Sequence, residues 1–300
     1  MSMNLCLDIG GSKIVAASVT ESGQITEHAR MATPVDHFDD FCAAIKRICP
    51  PDSSTLGVSI AGVIDPQTGQ INSANIPCIS GHELARELEL ILGRGVVLIN
   101  DADAFALAEA HLGRARQYSG VLAVILGTGV GGALVLDGRL HVGLGGLSGE
   151  WGHGPASAMR TGTALPVVSC SCGQQGCVDT LGGARGIERL HHHLHGRHAT
   201  SLDIVKAWQS GCQDSEQVID LWLDVVGGAL AAAVNLIGPA IVPVGGGLAR
   251  SEALIEALDR EVCNRSLINI QSSLLYSAAS GPEQGLLGAA LRVRQVLTAL

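Results

Sequence analysis

A chain of 300 residues, 47% of them hydrophobic, is long enough for two domains with a real buried core and is not a disordered chain. Its formal charge of −9 comes without any basic stripe, which argues against nucleic acid as a partner and points to a soluble protein. No apolar stretch reads as long and charge-free enough to span a bilayer, so no membrane partner is expected. Aromatic residues make up only 3% and glycines number 39, so the core is expected to be Ala, Val, Leu and Ile, with many tight turns. The opening MSMNLCLDIGG lacks the basic start and long apolar run of a secretory leader. Of nine cysteines, Cys6, Cys42, Cys49, Cys78, Cys212 and Cys263 are scattered, mostly in apolar settings. They read as small core residues in a reduced, cytoplasmic protein.

In chain order, NLCLDI (residues 4–9) breaks at Gly10-Gly11 and IVAASV follows, which predicts strand, tight turn, strand. FDDFCAAIKRIC has helical spacing and stops at Pro50-Pro51. TLGVSIAG predicts a buried strand and GHELARELELILG an amphipathic helix closed by glycine. VVLIND predicts a strand running directly into the helix ADAFALAEAHLG. VLAVILGTGVGGALVL then repeats the opening pattern of strand, glycine turn and strand about a hundred residues further on, which suggests two related halves. After a Cys-rich segment and a helical stretch, AIVPV predicts another strand, broken by Gly245-Gly246-Gly247 and followed by the helix ARSEALIEALDREV. GLLGAALRVRQVLTAL predicts a closing helix. The whole reads as α/β. The expected division is residues 1–118 and 119–300, with the closing helix packing back on the first domain.

Three glycine runs carry candidate chemistry. Gly127-Thr128-Gly129-Val130-Gly131-Gly132 matches G-x-G-x-x-G, but ALVLDGRL follows it and reads as strand. A dinucleotide fold needs a helix there, so that reading fails its own context. What remains is a hairpin turn whose unobstructed N–H groups can approach phosphate oxygens, with the Thr128 hydroxyl as a further donor. Asp8-Ile9-Gly10-Gly11-Ser12-Lys13 offers the same turn with a carboxylate suited to hydrated Mg²⁺ and an ammonium suited to phosphate. Two such turns, one per half, would clamp a triphosphate, and Gly245 to Gly247 would let a nucleoside lie against backbone. Each run alone reads equally well as a tight turn; the three together favour a nucleotide.

LDIGGSK, LINDADAFALAE, ILGTGVGG, SGEWGH, CSCGQQGC and VGGG occur in an order that resembles ROK sugar kinases from about residue 4 to 292. The resemblance implies the actin-like, hexokinase-like ATPase fold (ribonuclease H-like), with two domains around a cleft. SANIPCISG at 73–81 is most similar to bacterial N-acetylglucosamine kinases, which implies ATP-dependent phosphorylation of N-acetyl-D-glucosamine at its 6-hydroxyl. It also implies Asp101 as general base, and Asn75, Ser80, Gly81, Asn100, Glu150, His153 and Asp179 as sugar contacts. His153, Cys170, Cys172 and Cys177 would bind a structural Zn²⁺. The residue chemistry agrees: three thiolates and an imidazole suit Zn²⁺, and four protein ligands close a tetrahedral site to water. The metal would then be a clasp tying the loop of Glu150 and His153 to that of Asp179. A homodimer is implied as well. N-acetylmannosamine kinase and glucokinase are the alternatives within the family.

The chain departs from the pattern at two carboxylates. Asp179 stands where the family usually has Glu and reaches about 1.5 Å less. Asp103 stands where an Asn is usual; facing the site, it would raise the pKa of Asp101, and facing outward it would do nothing. Without the resemblance, Asp101 reads equally well as a helix N-cap. His191 and His195, at i and i+4 in HHHLH, have ligand spacing but no carboxylate beside them, so an exposed helix face is expected rather than a second metal. A transcriptional regulator is disfavoured by the acidic charge and by a phosphate turn that begins at Asp8. A catalytically weak sugar sensor stays open because of Asp103 and Asp179.

Overall fold

The computed structural model describes residues 3–51, 54–73, 75–278 and 282–298. Ala74 of SANIPCISG and the last two residues of the closing helix lie outside them. The chain divides into two compact units. The first comprises Met1–Arg116, Gly138–Ser148 and Gly281–Leu300; the second comprises Gln117–Asp137 and Gly149–Ser280.

In the first unit, β1 (Met3–Ile9) and β2 (Lys13–Thr20) form an antiparallel hairpin with Ile9 opposite Ile14. β3 (Ile25–Ala32) continues the sheet from β2. Its alternation of exposed polar residues carries only a weak strand signal, and the sequence reading passes over it. α1 (Phe38–Ile48) buries Phe41, Cys42, Ala44, Ile45 and Ile48 at helical spacing. Asp39 and Asp40 in its first turn, with Lys46 and Arg47 in its last, oppose the helix dipole. β4 (Leu56–Ile60) is buried throughout and lies parallel to β1, which is why it reads as a continuous apolar run. β5 (Val63–Ile64) and β6 (Ile71–Asn72) make a small antiparallel ribbon. α2 (Leu84–Leu92) ends at Gly93, whose φ of 67° is the left-handed cap that only glycine adopts without strain. β7 (Val96–Asn100) pairs parallel with β4 and runs into α3 (Asp101–His111), giving the order β3-β2-β1-β4-β7.

The second unit opens in the same way. β8 (Gly120–Leu126) and β9 (Val130–Leu136) form an antiparallel hairpin with Leu126 opposite Val130. β10 (Arg139–His141) falls in the first unit. After the Cys-rich segment come α4 (Asp179–Gly182), α5 (Ala184–His195), α6 (Ser201–Gln209) and α7 (Gln213–Ile237). β11 (Val242–Gly245) is parallel to β8; α8 (Glu252–Arg265) follows, and β12 (Leu275–Ser277) is parallel to β11. Each unit therefore carries a hairpin whose first strand takes a parallel neighbour, as the repeated sequence pattern leads one to expect. α9 (Pro282–Thr298) packs in the first unit, where Gly57 and Gly288 let backbone approach backbone.

One expectation is corrected here. α7 is long and apolar enough, by length and composition, to cross a membrane. Its apolar residues are instead core: Val218, Ile219, Leu221, Trp222, Val225, Val226, Leu230 and Ala231 are buried in the second unit. On the same helix Asp224 is fully buried, and its carboxylate accepts from the Arg160 and Thr161 amides, the Thr161 hydroxyl and Arg265 Nη2 (2.6 Å). Burial opposes its charge, but these donors outweigh that and hold its carboxyl below the ordinary range. The cluster pins the loop between His153 and Cys170 to α7. Asp224→Asn keeps acceptor atoms but loses the charge, and is expected to cost about 1.5–3 kcal/mol in urea unfolding at neutral pH. The difference should shrink as pH falls through the lowered pKa, because the wild-type carboxylate is then protonated.

Candidate active site and metal centre

In the first unit, β1, β4 and β7 are parallel neighbours, so Asp8 near the end of β1 and Asp101 just past β7 share the carboxyl edge of one sheet. Ligands of open α/β sheets bind at that edge. Asn100, not Asp101, caps α3: its Oδ1 accepts from Ala102 N (2.7 Å) and Asp103 N (3.3 Å), and its Nδ2 donates to Gly62 O (2.7 Å). Asn100 is therefore largely spent on structure. Asp101 is the first helical residue and is exposed. Asp103 is half-buried, one turn into the same cap.

Turn 1 is closed by the Gly10 N–H donating to Lys13 O (3.0 Å). The Thr33 hydroxyl donates to Gly10 O (2.7 Å), and Thr33 N donates to Ser12 O. Gly11 packs so closely on Asn75 that an added Cβ would lie 2.9 Å from Asn75 O. The turn between β1 and β2 and the SANIPCISG loop thus abut. Ser80 closes that loop on itself, its Oγ accepting from Ser73 N (3.0 Å) and donating to Ser73 O (3.2 Å). Gly81 has a φ of 85°, and Asn75 is exposed.

Burial pushes the Asp8 carboxyl up to about 6. The Ser59 hydroxyl, facing it without full hydrogen-bond geometry, and Lys13 draw it down, while the nearby Asp101 charge pushes it further up. A side chain at Gly285 would collide with both Asp8 and Ser59, so α9 closes over this carboxylate. Below about pH 6 this carboxyl is therefore protonated, and a cation meeting it there would have to displace the proton. Any activity that needs this carboxylate charged is expected to fall on the acid side of its pH profile near that pH. Asp8→Asn should remove that limb together with most of the activity.

In the second unit the hairpin turn is gripped by its neighbours. Gly127 N donates to Gly129 O (3.0 Å), and Val130 N donates to Asp179 Oδ1 (2.9 Å). The N-terminus of α5 donates to the turn's carbonyls, Ala184 N to Gly127 O (2.8 Å) and Arg185 N to Thr128 O (3.4 Å). Among the described residues, the Thr128 and Gly129 amides and the Thr128 hydroxyl are the turn's remaining donors. Strand β9 follows the turn, so the exclusion of a dinucleotide fold stands. Gly131 O accepts from Trp151 Nε1 (3.0 Å), and Gly132 packs against Trp151. Gly246, at φ 89°, lies against the end of β8, bringing the third glycine run, Gly245 to Gly247, beside turn 2.

His153, Cys170, Cys172 and Cys177 converge, with one ligand atom from each lying within 4.8 Å of all the others. Cys170 Sγ is 3.5 Å from His153 Nδ1, and Cys172 Sγ is 3.7 Å from Cys177 Sγ. A tetrahedron with Zn–S bonds of about 2.3 Å separates its sulfurs by about 3.8 Å, so the donor set fits Zn²⁺. His153 Nε2 faces Glu150 (3.4 Å), the carboxylate partner that orients a metal-bound imidazole. Burial raises the Glu150 pKa and Asp179 adds to this, while His153 opposes it. Backbone bridges Pro155 to Cys177 and Ser169 to Gln175 hold the segments together beside the cluster. The exposed helix face expected at His191 and His195 is corrected: His191 is buried and His195 half-buried, and His191 Nδ1, His193 Nε2 and His195 Nε2 meet the carbonyls of Arg197, Ala164 and Asp214. Among the described residues no second Cys/His/carboxylate group of metal-binding size forms.

The ROK family profile matches residues 4–296. The chain belongs to the ROK family. It is 33% identical over 292 residues to the N-acetylgalactosamine kinase AgaK of Shewanella sp. (strain ANA-3), covering 95% of this chain and 94% of that one. It is 32% identical to an N-acetyl-D-glucosamine kinase of Photobacterium profundum, covering 94% and 96% of the two chains. Among solved structures, a ROK hexokinase from Thermus thermophilus matches with a TM-score of 0.87 at 30% identity over the full length of both chains. The fold is the actin-like ATPase fold of such ROK sugar kinases.

Several residues that shape this ROK site escape sequence reading. Ser59 and Gly285 flank Asp8, Thr33 holds turn 1, and Gly182-Gly183 bring α5 against turn 2. Only the paired glycines beside Asp179 carried a signal, since a G-G step signals close backbone approach.

Proposed function

We propose that the chain transfers a phosphoryl group from ATP to the 6-hydroxyl of an N-acetylhexosamine, N-acetyl-D-glucosamine first. The coarser statement, that it is a sugar kinase, follows from its full-length relatives in the ROK family. Asp101, exposed on the carboxyl edge of the sheet where Asn100 and not Asp101 caps α3, supports the transfer step, and the 32% identity to the Photobacterium profundum N-acetyl-D-glucosamine kinase supports the choice of sugar.

In this reading Asp101 accepts the proton of the attacking hydroxyl, which needs only positioning and charge neutralisation to complete an in-line transfer. Mg²⁺, arriving with ATP and met by Asp8, supplies that neutralisation. Lys13 and the turn 1 amides, with Thr128 and Gly129 of turn 2, receive phosphate oxygens, and Gly245 to Gly247 lie along the nucleoside. Glu150 and Asn75 hold sugar hydroxyls. His153, Cys170, Cys172 and Cys177 would hold Zn²⁺, which would brace the loop of Glu150 and supply no chemistry to the transfer. A homodimer in the cytoplasm completes the proposal.

A second reading takes N-acetylgalactosamine as substrate, supported by the 33% identity to the Shewanella N-acetylgalactosamine kinase. The test is ADP release, coupled to NADH oxidation, with ATP and Mg²⁺ across N-acetylglucosamine, N-acetylgalactosamine, N-acetylmannosamine and glucose. The proposal expects the highest kcat/KM on N-acetylglucosamine. A preference for glucose would overturn the N-acetyl assignment, and no turnover on any sugar would favour the sensor.

A further inference from the structure

The segment that leaves the metal cluster at Cys177 runs straight into turn 2. Within nine residues it makes three bonds to that turn: Asp179 Oδ1 accepts from Val130 N, Ala184 N donates to Gly127 O, and Arg185 N donates to Thr128 O. Gly183 sits against Thr128 and Gly129 where a Cβ has no room, and Gly129 in turn leaves space only for the Asp179 carboxylate. The other Asp179 oxygen, Oδ2, is 3.7 Å from Cys170 Sγ. One carboxylate thus lies beside Cys170 with one oxygen and accepts from the turn with the other; with metal bound the Cys170 thiolate has no proton to donate, so the link to the cluster is the backbone from Cys177 to Asp179.

We propose that Asp179 is a positioning residue for the phosphate-binding turn, transmitting the order of the metal cluster to the nucleotide rather than contacting the sugar. The inference rests on turn 2 being the nucleotide's turn, as proposed above. The physical argument is reach. A side chain of this length can satisfy the Val130 amide only from a backbone held close to the turn, and Cys177, two residues earlier, is one of the four side chains proposed to hold the metal. A longer carboxylate would overshoot by about 1.5 Å. A glutamate here would have to aim its carboxylate away from Gly129, which leaves room only for the present one, and so give up the Val130 bond. The turn's remaining donors, Thr128 N and Gly129 N, are adjacent to the bonded groups, so their direction follows from the same grip. Order in the metal segment and affinity for the nucleotide are then linked, and the linkage is reciprocal.

The test uses the full-length, zinc-loaded protein and ADP binding measured by calorimetry, with zinc content and the KM for sugar determined on the same samples. Asp179→Ala is expected to raise the ADP Kd roughly tenfold, with sugar KM changed far less. Asp179→Asn keeps an acceptor for Val130 N and should bind ADP within about threefold of wild type. Asp179→Glu keeps the charge but not the fit, and should bind ADP worse than Asp179→Asn. That last comparison decides the matter even if the alanine variant loses zinc or fails to fold. An Asp179→Glu variant with wild-type ADP affinity and a lowered sugar KM would overturn the proposal and make residue 179 a sugar contact. Wild-type protein that binds no ADP at all would instead sink the nucleotide reading of turn 2, a separate failure.

Discussion

Replacing Asp101 with asparagine is expected to lower kcat by roughly 10²–10⁴-fold, the usual contribution of a positioned general base. The geometry makes this a clean substitution. The cap of α3 is Asn100, so the helix does not depend on residue 101 for its start. The bond that its Oδ1 accepts from Ala102 N, at 3.0 Å, can be kept by the asparagine oxygen. What is lost near the helix N-terminus is a favourable charge worth about 0.3–1 kcal/mol. Thermal unfolding should therefore move by only a few degrees while turnover collapses. The affinity for ADP should be unchanged or slightly improved, since a negative charge is removed near the phosphates. Steady-state turnover and ADP binding on the same preparation check both halves. Near-wild-type kcat from the folded variant would remove Asp101 from its proposed role.

The second large effect concerns the metal cluster. Cys172→Ser leaves three donors where a closed tetrahedral site needs four, and the protein is expected to lose zinc on exposure to a mild chelator. A zinc ion present at about 1,000 times its Kd stabilises the folded state by about 4 kcal/mol. For a unit of this size, its removal lowers the unfolding temperature by roughly 8–16 °C. The functional loss follows from what the cluster holds. His153 orients Glu150 through Nε2, and the bridge from Pro155 to Cys177 keeps the two loops adjacent. Sugar KM should rise with zinc loss. A zinc-free variant with normal sugar KM and normal thermal unfolding would contradict the clasp.

Much of this arrangement was legible in the sequence because its signals are local. The two hairpins show in apolar runs broken by glycine, and the strand after Gly132 already excludes a dinucleotide fold. Cys170, Cys172 and Cys177 with His153 announce themselves by spacing. Less legible was how polar side chains are shared out. Asn100 and Ser80 read as ligands, but their polar atoms are largely committed to α3 and to the 73–80 loop. Such commitments depend on what tertiary packing brings within 3 Å, and sequence spacing does not carry that. β3 was missed for the opposite reason: an edge strand with a wet face has no apolar signature. α7 passes for a membrane span by composition because a long core helix and a bilayer helix bury the same residue types.

The central claim is phosphoryl transfer from ATP to the 6-hydroxyl of the sugar, and the product tests it most directly. Zinc-loaded enzyme incubated with ATP, Mg²⁺ and N-acetyl-D-glucosamine, followed by ³¹P NMR with proton coupling, is expected to give a phosphomonoester coupled to the two C6 protons, with ADP formed in equal amount. ADP accompanied only by inorganic phosphate, or phosphate carried on C1, would contradict the account.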